Sequence, residues 1–277
     1  MKKKKVLFTG AAGMLASDLI PLFSNYNLYA YDRNRLDISD RALTEQALFQ
    51  LRPDLVINCA AYTKVDQCEI DPSCYNVNAI GVYNLAHACK KVKAKLIHFS
   101  TDYVFRGDTS KFYKEGDGRN PLSHYGRSKM LGEVSIEAEL ERSKYLICRV
   151  QWLFGTNGPN FVKTMLSLAQ KQPVIKVVDD QFGRPTSTFL LSKAVFELID
   201  GDANGIYHLG SDNFCSWYDF AKEILKDQKV QVIPCKSDDF PRPAPRPKFG
   251  VLDIQKAKHL GVPFFAWQEH LASYVGK

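Results

Sequence analysis

The chain has 277 residues, 45% of them hydrophobic and 24% charged. That composition fits an ordinary soluble protein with a full-sized core and excludes disordered and fibrous chains. Lys and Arg number 37 against 30 Asp and Glu, and the run Lys2 to Lys5 supplies four of the positive charges, which reads as a solvated terminus.

The first half alternates short apolar runs with helix-like segments. Residues 6–9, 28–31, 55–60, 95–100 and 145–150 have the near-continuous apolar character of strands buried on both faces. Residues 15–23, 40–51, 72–91 and 125–141 are long enough to be crossover helices, with Asp71-Pro72 as a helix start. Repeated strand–helix units predict an α/β fold, a doubly wound parallel sheet of the Rossmann type.

After residue 150 the rhythm loosens. Helices are predicted at 161–170, 190–199, 217–226 and 267–275, and short strands at 174–178, 206–209 and 230–233. Residues 240–249 hold four prolines and three basic residues, which no central strand or helix tolerates, so an extended loop is expected. The division expected is a nucleotide-binding domain over 1–150 and a smaller substrate lobe over 151–277, with some later segments returning to the main sheet.

Two features exclude other classes. No Arg/aromatic interleaving follows the lysine run, so nucleic acid is not expected as a partner. No stretch approaches the ~18 apolar residues of a membrane span, and Val6-Leu7-Phe8 is too short for a signal segment. The seven cysteines form no C-x-x-C pair, which points to reduced thiols and a cytoplasmic location. The six histidines show no zinc-binding spacing.

Gly10-Ala11-Ala12-Gly13-Met14-Leu15-Ala16 lies at the first strand–helix junction. Glycine there lets the backbone approach a diphosphate, whose charge meets free N–H groups at the helix start. Asp32, 22 residues after Gly10, can bind an adenosine ribose and so suits NAD. Arg33 beside it can pair with a 2′-phosphate and suits NADP. The two pull in opposite directions, so use of both cofactors is expected.

Tyr125 and Lys129, four residues apart on a predicted helix, share one face. A Lys ammonium beside a tyrosine favours the phenolate and brings the group into range for acid–base work at a carbonyl. Thr101 ends the strand before it, where its hydroxyl can hold the same carbonyl oxygen. A Tyr-x-x-x-Lys also arises by chance on surface helices; the glycine turn and the strand-end threonine together point to a carbonyl reductase.

These residues, together with Asn58-Cys59-Ala60-Ala61-Tyr62-Thr63-Lys64-Val65-Asp66, Ser100-Thr101-Asp102-Tyr103-Val104-Phe105, Gln181-Phe182-Gly183-Arg184-Pro185-Thr186 and Arg242-Pro243-Ala244-Pro245-Arg246-Pro247, resemble the dTDP-4-dehydrorhamnose reductase family. That family lies within the extended short-chain dehydrogenase/reductase superfamily, and the resemblance runs from Val6 to about Asp253. It implies NADPH- or NADH-dependent reduction of a 4-keto nucleotide sugar, dTDP-4-dehydro-β-L-rhamnose, as the last step of dTDP-rhamnose synthesis. It implies Tyr125 as proton donor, Lys129 on the nicotinamide ribose and Thr101 on the keto oxygen. The cofactor would meet Gly10, Ala12, Gly13, Met14 and Leu15 at the turn and Asp32, Arg33, Asp37 and Ile38 at the adenosine end. Asn58, Cys59, Ala60, Ala61 and Tyr62 would line the cleft between them. Asp102, Tyr103, Phe105 and Trp152 would form the sugar side, with Arg184, Arg242 and Arg246 toward the diphosphate. A homodimer is compatible with the same resemblance.

Two positions depart from the family pattern. Gln151 replaces a small hydroxyl residue beside the expected sugar pocket. Asp18 stands where some members carry a Mg²⁺-binding glutamate, and without partner carboxylates no metal is expected. The rival readings are a reductase or epimerase of another nucleotide sugar and a non-catalytic regulatory subunit like that of methionine adenosyltransferase.

Overall fold

The computed structural model describes residues 3–275, so Lys2 of the basic run lies outside the described residues. Five strands of the first half, β1 (Lys5–Thr9), β2 (Asn27–Tyr31), β3 (Leu55–Asn58), β4 (Lys95–Thr101) and β5 (Tyr145–Val150), pair in parallel. The strand Gly205–His208 returns to the edge of β5 and completes the order Gly205–His208, β5, β4, β3, β1, β2. β3 and β5 are buried along their whole length, which is why they read as unbroken apolar runs.

Side chains alternate between two cores. Val6, Phe8, Ile57 and Ile97 pack with α1 (Met14–Leu19) and the helix Thr188–Asp200 on one face. Leu7, Val56, Leu96 and Ile147 face Leu48 of α2 (Arg41–Leu51) and Leu85 of α4 (Val82–Val92) on the other. α5 (His124–Glu139) packs beside α4. Arg149 of β5 forks onto Glu133 of α5 at 2.9 and 2.7 Å, and both side chains are buried. A fully paired buried ion pair tolerates little sliding, so it fixes the height of α5 on the sheet.

Several expected elements differ, among them the helix expected at 15–23, where α1 ends at Leu19 and a 3-10 turn follows over Ile20–Phe23. β3 stops at Asn58 instead of running to 60, because Asn58 Oδ1 accepts the Ala60 N–H at 3.0 Å and turns the chain away from the sheet. The helix expected at 72–91 is split into α3 (Ser73–Tyr75), a π-helical turn Asn76–Gly81 and α4. That wide turn lets Asn78 bond the Tyr62 backbone at 2.8 and 2.9 Å and the Ser128 hydroxyl at 3.0 Å. α5 ends at Glu139, where Leu140 turns extended.

The chain after β5 builds a third core around Phe154, Val162, Ile175, Phe220 and Trp267, beside the parallel pair Val174–Val178 and Gln231–Cys235. The proline-rich segment has no regular structure beyond one bridge, Phe182 to Phe249. It is tied to the first half by Phe249 N–H on the Gly107 carbonyl at 2.9 Å and by Arg246 on Asp66. Among the described residues no helix is long and apolar enough to cross a membrane.

Candidate active site

At the carboxyl ends of β1 and β3 lies a cavity of about 240 Å³ lined by Gly10, Ala12, Gly13, Arg33, Leu36, Asp37, Ile38, Cys59, Ala60, Ala61, Tyr62 and Val77. It gathers ten of the expected cofactor residues outside the catalytic pair. Gly10 has φ of +65°, and a Cβ there would come within 2.5 Å of the Ala60 backbone nitrogen, so only glycine lets the turn pass this close. Gly13 precedes α1 without a side-chain cap, leaving first-turn N–H groups free of a capping side chain. A glycine turn bare of side chains, opening a helix beside a preformed cavity, fits a dinucleotide diphosphate.

Met14, Leu15, Asp32 and Asn58, expected beside the cofactor, are absent from the cavity lining. Asp32 turns its carboxylate to the Arg35 backbone N–H at 3.0 Å, because the chain needs an Asx-type closure after β2. Arg33 stays on the rim, 3.2 Å from Asp37, whose carboxylate is held low by the Ser39 hydroxyl and N–H. Leu15 is a core side chain, so only its backbone can serve a ligand.

The catalytic candidates meet beside this cleft. Ser123 caps α5 by accepting the Gly126 N–H at 3.1 Å, and a Cβ on Gly126 would strike the Tyr103 carbonyl at 2.2 Å. The start of α5 is thereby pressed onto the turn that follows Thr101. Tyr125 and Tyr103 meet edge to face with centroids 5.5 Å apart. The Tyr125 phenol faces the Thr101 hydroxyl, which lies 2.9 Å from Asp102 Oδ1.

The expected electrostatics differ. Burial pushes the Tyr125 phenol above its usual range, so it is neutral and carries its proton. Lys129 is buried and lowered to about 8 by desolvation, and its Nζ donates to the Phe99 carbonyl at 2.5 Å. It also lies 3.3 Å from His98 Nε2. His98 bonds Asn58 at 3.0 Å, and Asn58 accepts the Thr9 hydroxyl at 2.7 Å. Sequence reasoning gave His98 no role, although a histidine inside the apolar strand Leu96–Phe99, level with Asn58 on β3, signals a buried polar row.

On the sugar side four of the expected residues are buried. Phe105 is fully buried, stacked on Tyr113 at 4.3 Å, and reaches no cleft. Arg184 is also buried, its guanidinium spent on the carbonyls of Leu252, Ser211 and Asp212 at 2.8, 2.9 and 2.6 Å. Gln151 does not border the pocket. It is 2% exposed, and its amide donates to Asp102 Oδ2 at 3.2 Å and to the Gly250 carbonyl at 3.0 Å. Asp102, 3% exposed, faces these groups rather than solvent.

Trp152, with φ of +51°, stacks on Trp217 at 3.6 Å and keeps part of its surface open. Arg246 forks onto Asp66 at 2.9 and 3.0 Å, whereas Arg242 lies 4.0 Å from the same carboxylate and is half exposed. Asp18 accepts the Thr188 hydroxyl at 2.5 Å. Among the described residues no cluster of three or more His, Cys, Asp or Glu could hold a metal.

Comparison with known proteins gives the relationship. The family model described as RmlD substrate binding domain matches residues 4–277. The spore coat polysaccharide biosynthesis protein SpsK of Bacillus subtilis is 36% identical, covering 98% of this chain and 96% of its own. The crystal structure of a dTDP-4-dehydrorhamnose reductase from Clostridium acetobutylicum superposes with a TM-score of 0.94 at 40% identity, covering 98% of both chains. That of Bacillus anthracis dTDP-4-dehydrorhamnose reductase in complex with NADP gives 0.94 at 38% identity and 99% of both. The chain belongs to the dTDP-4-dehydrorhamnose reductase family.

Proposed function

We propose that the protein reduces the 4-keto group of dTDP-4-dehydro-β-L-rhamnose to give dTDP-β-L-rhamnose, with NADPH or NADH as cofactor. The observation that carries this reading is the meeting of Thr101, Tyr125 and Lys129 beside a cavity shaped by the glycine turn. The non-catalytic alternative has no chemical need for that set.

The cofactor would rest with its diphosphate on the Gly10–Gly13 turn, its adenosine end by Arg33, Asp37 and Ile38, and its nicotinamide ribose near Lys129. When bound, the reduced nicotinamide supplies the hydride that the ketone carbon accepts. Tyr125, kept neutral by burial, gives its proton to the ketone oxygen as charge builds there. Thr101 holds that oxygen with its hydroxyl. Lys129 leaves the Phe99 carbonyl for the ribose and brings positive charge toward the tyrosine as the phenolate forms.

In this reading residues 1–150 carry the cofactor and 151–277 mainly the sugar side, with Tyr103 and Trp152 facing the 6-deoxy ring and Arg242 reaching the diphosphate. All seven cysteines are free, which supports a cytoplasmic enzyme. Apolar side chains exposed near α5 (Leu131 and Val134) support a homodimer, which light scattering checks.

The test supplies the keto sugar made in situ by the preceding dehydratase and epimerase. Cofactor oxidation should follow, with rhamnose identified by NMR. Omitting the epimerase should leave the cofactor unoxidised. Oxidation that needs no epimerase would assign another sugar, and none with either substrate would end the reductase reading.

A further inference from the structure

A threonine hydroxyl has one proton to give and two lone pairs to fill. Thr101 Oγ1 has two hydrogen-bond partners, the Tyr103 N–H at 3.2 Å and Asp102 Oδ1 at 2.9 Å, and the Tyr125 phenol faces it. The Tyr103 N–H occupies one lone pair in any state. An ionised Asp102 has no proton, so Thr101 must donate to it, and the Tyr125 proton falls into the remaining lone pair. Both protons the reaction needs would then point away from the substrate. A neutral Asp102 reverses this arrangement.

We propose that Asp102 is a positioning residue that acts as a neutral acid: its Oδ1 proton is donated to Thr101, so that Thr101 and Tyr125 both direct their own protons at the ketone. The proposal rests on the reductase reading. Its geometry is specific about which oxygen carries the proton. Oδ2 accepts from the Gln151 amide at 3.2 Å, and that amide is anchored by the Gly250 carbonyl at 3.0 Å and the Leu252 N–H at 3.4 Å. Oδ2 is thereby the carbonyl oxygen of the acid and Oδ1 the one bearing hydrogen.

The surroundings favour the neutral form. Tyr103 faces Asp102 from its own turn and Tyr125 from α5. The Gln151 amide faces it from the end of β5, and the Gly250 backbone approaches from the C-terminal segment. No Lys or Arg is paired with it among the described residues. Burial raises the carboxyl to about 7, against the opposing hydrogen bonds of Thr101 and Gln151. Gln151, which departs from the small hydroxyl residue of the family pattern, thus acts on the catalytic threonine through Asp102.

Asp102→Asn places an N–H toward Thr101 and an oxygen toward Gln151 at every pH, whereas Asp102→Ala offers neither. Wild-type turnover should fall above about pH 7, approaching roughly tenfold per unit as a single group ionises. The Asn variant should pass that point without loss and decline only at higher pH. The Ala variant should be at least about tenfold slower throughout, the loss expected when a positioned donor is misdirected. An Asn variant as slow as Ala, or one declining at the wild-type pH, would overturn the proposal.

Melting supplies a readout without substrate. The folded carboxyl, raised to about 7, lies above its ordinary 3.8. Stability of wild type relative to the Asn variant should therefore be greatest below about pH 4, fall up to about pH 7 and stay level above it. A difference independent of pH would contradict a neutral Asp102. If wild type oxidises no cofactor with the keto sugar, the reductase reading fails, and the melting comparison alone decides the state of Asp102.

Discussion

The cofactor cleft and the sugar side are built on different principles. The cleft is a preformed hollow of about 240 Å³ where Gly10, Ala12, Gly13, Ala60 and Ala61 leave room beside Leu36, Ile38, Tyr62 and Val77. On the sugar side the polar groups are already engaged: Arg184 with three carbonyls, Arg246 with Asp66, and Gln151 with Asp102 and Gly250. A cleft that depends on small residues tolerates little change in them. The side chains there that keep part of their surface open on the sugar side are Trp152, Tyr103 and Arg242.

The largest test separates chemistry from binding. Tyr125→Phe should lower turnover by about 10²–10⁴, the usual contribution of a positioned proton donor. Cofactor affinity, followed by fluorescence, should hold within about twofold, since the cleft lining is untouched. Turnover within a few-fold of wild type would remove Tyr125 from its role.

Arg184→Ala sharpens the contrast on the other side. It strips three carbonyls of a charged donor in a buried place, so the protein should lose about 2–3 kcal/mol of stability. Denaturant unfolding measures this. A variant of unchanged stability with a raised KM for the nucleotide sugar would return Arg184 to the substrate.

A smaller effect is expected at the rim of the cleft. With Asp32 turned to the Arg35 N–H, Arg33→Ala should weaken NADPH by about tenfold, ~1.4 kcal/mol, and leave NADH nearly unchanged. Equal losses for both cofactors would show that Arg33 does not meet the 2′-phosphate.

The sheet was legible because strands buried on both faces are apolar runs, and Leu55–Asn58 and Tyr145–Val150 carry that signal plainly. The glycine turn and the Tyr125/Lys129 spacing were legible because their chemistry is local. What escaped depends on partners far along the chain. Gln151 meets Gly250, Arg184 meets Leu252, and Phe105 meets Tyr113 only after the C-terminal segment has folded back beside it. The break before α4 follows from Asn78 reaching Tyr62, a contact no helical periodicity encodes. Lys129 bonded to Phe99, not drawing on Tyr125, is likewise a product of packing.

The central claim is that Thr101, Tyr125 and Lys129 reduce a sugar ketone with the cofactor held in the adjoining cleft. NADPH carrying deuterium on the transferring face of C4, mixed with the dTDP-linked 4-keto sugar, tests it most directly. The account predicts deuterium at sugar C4 of dTDP-rhamnose, one atom for each cofactor oxidised, and almost none on the same timescale with Tyr125→Phe. Rhamnose formed without the label, or labelled equally fast by the variant, would contradict it.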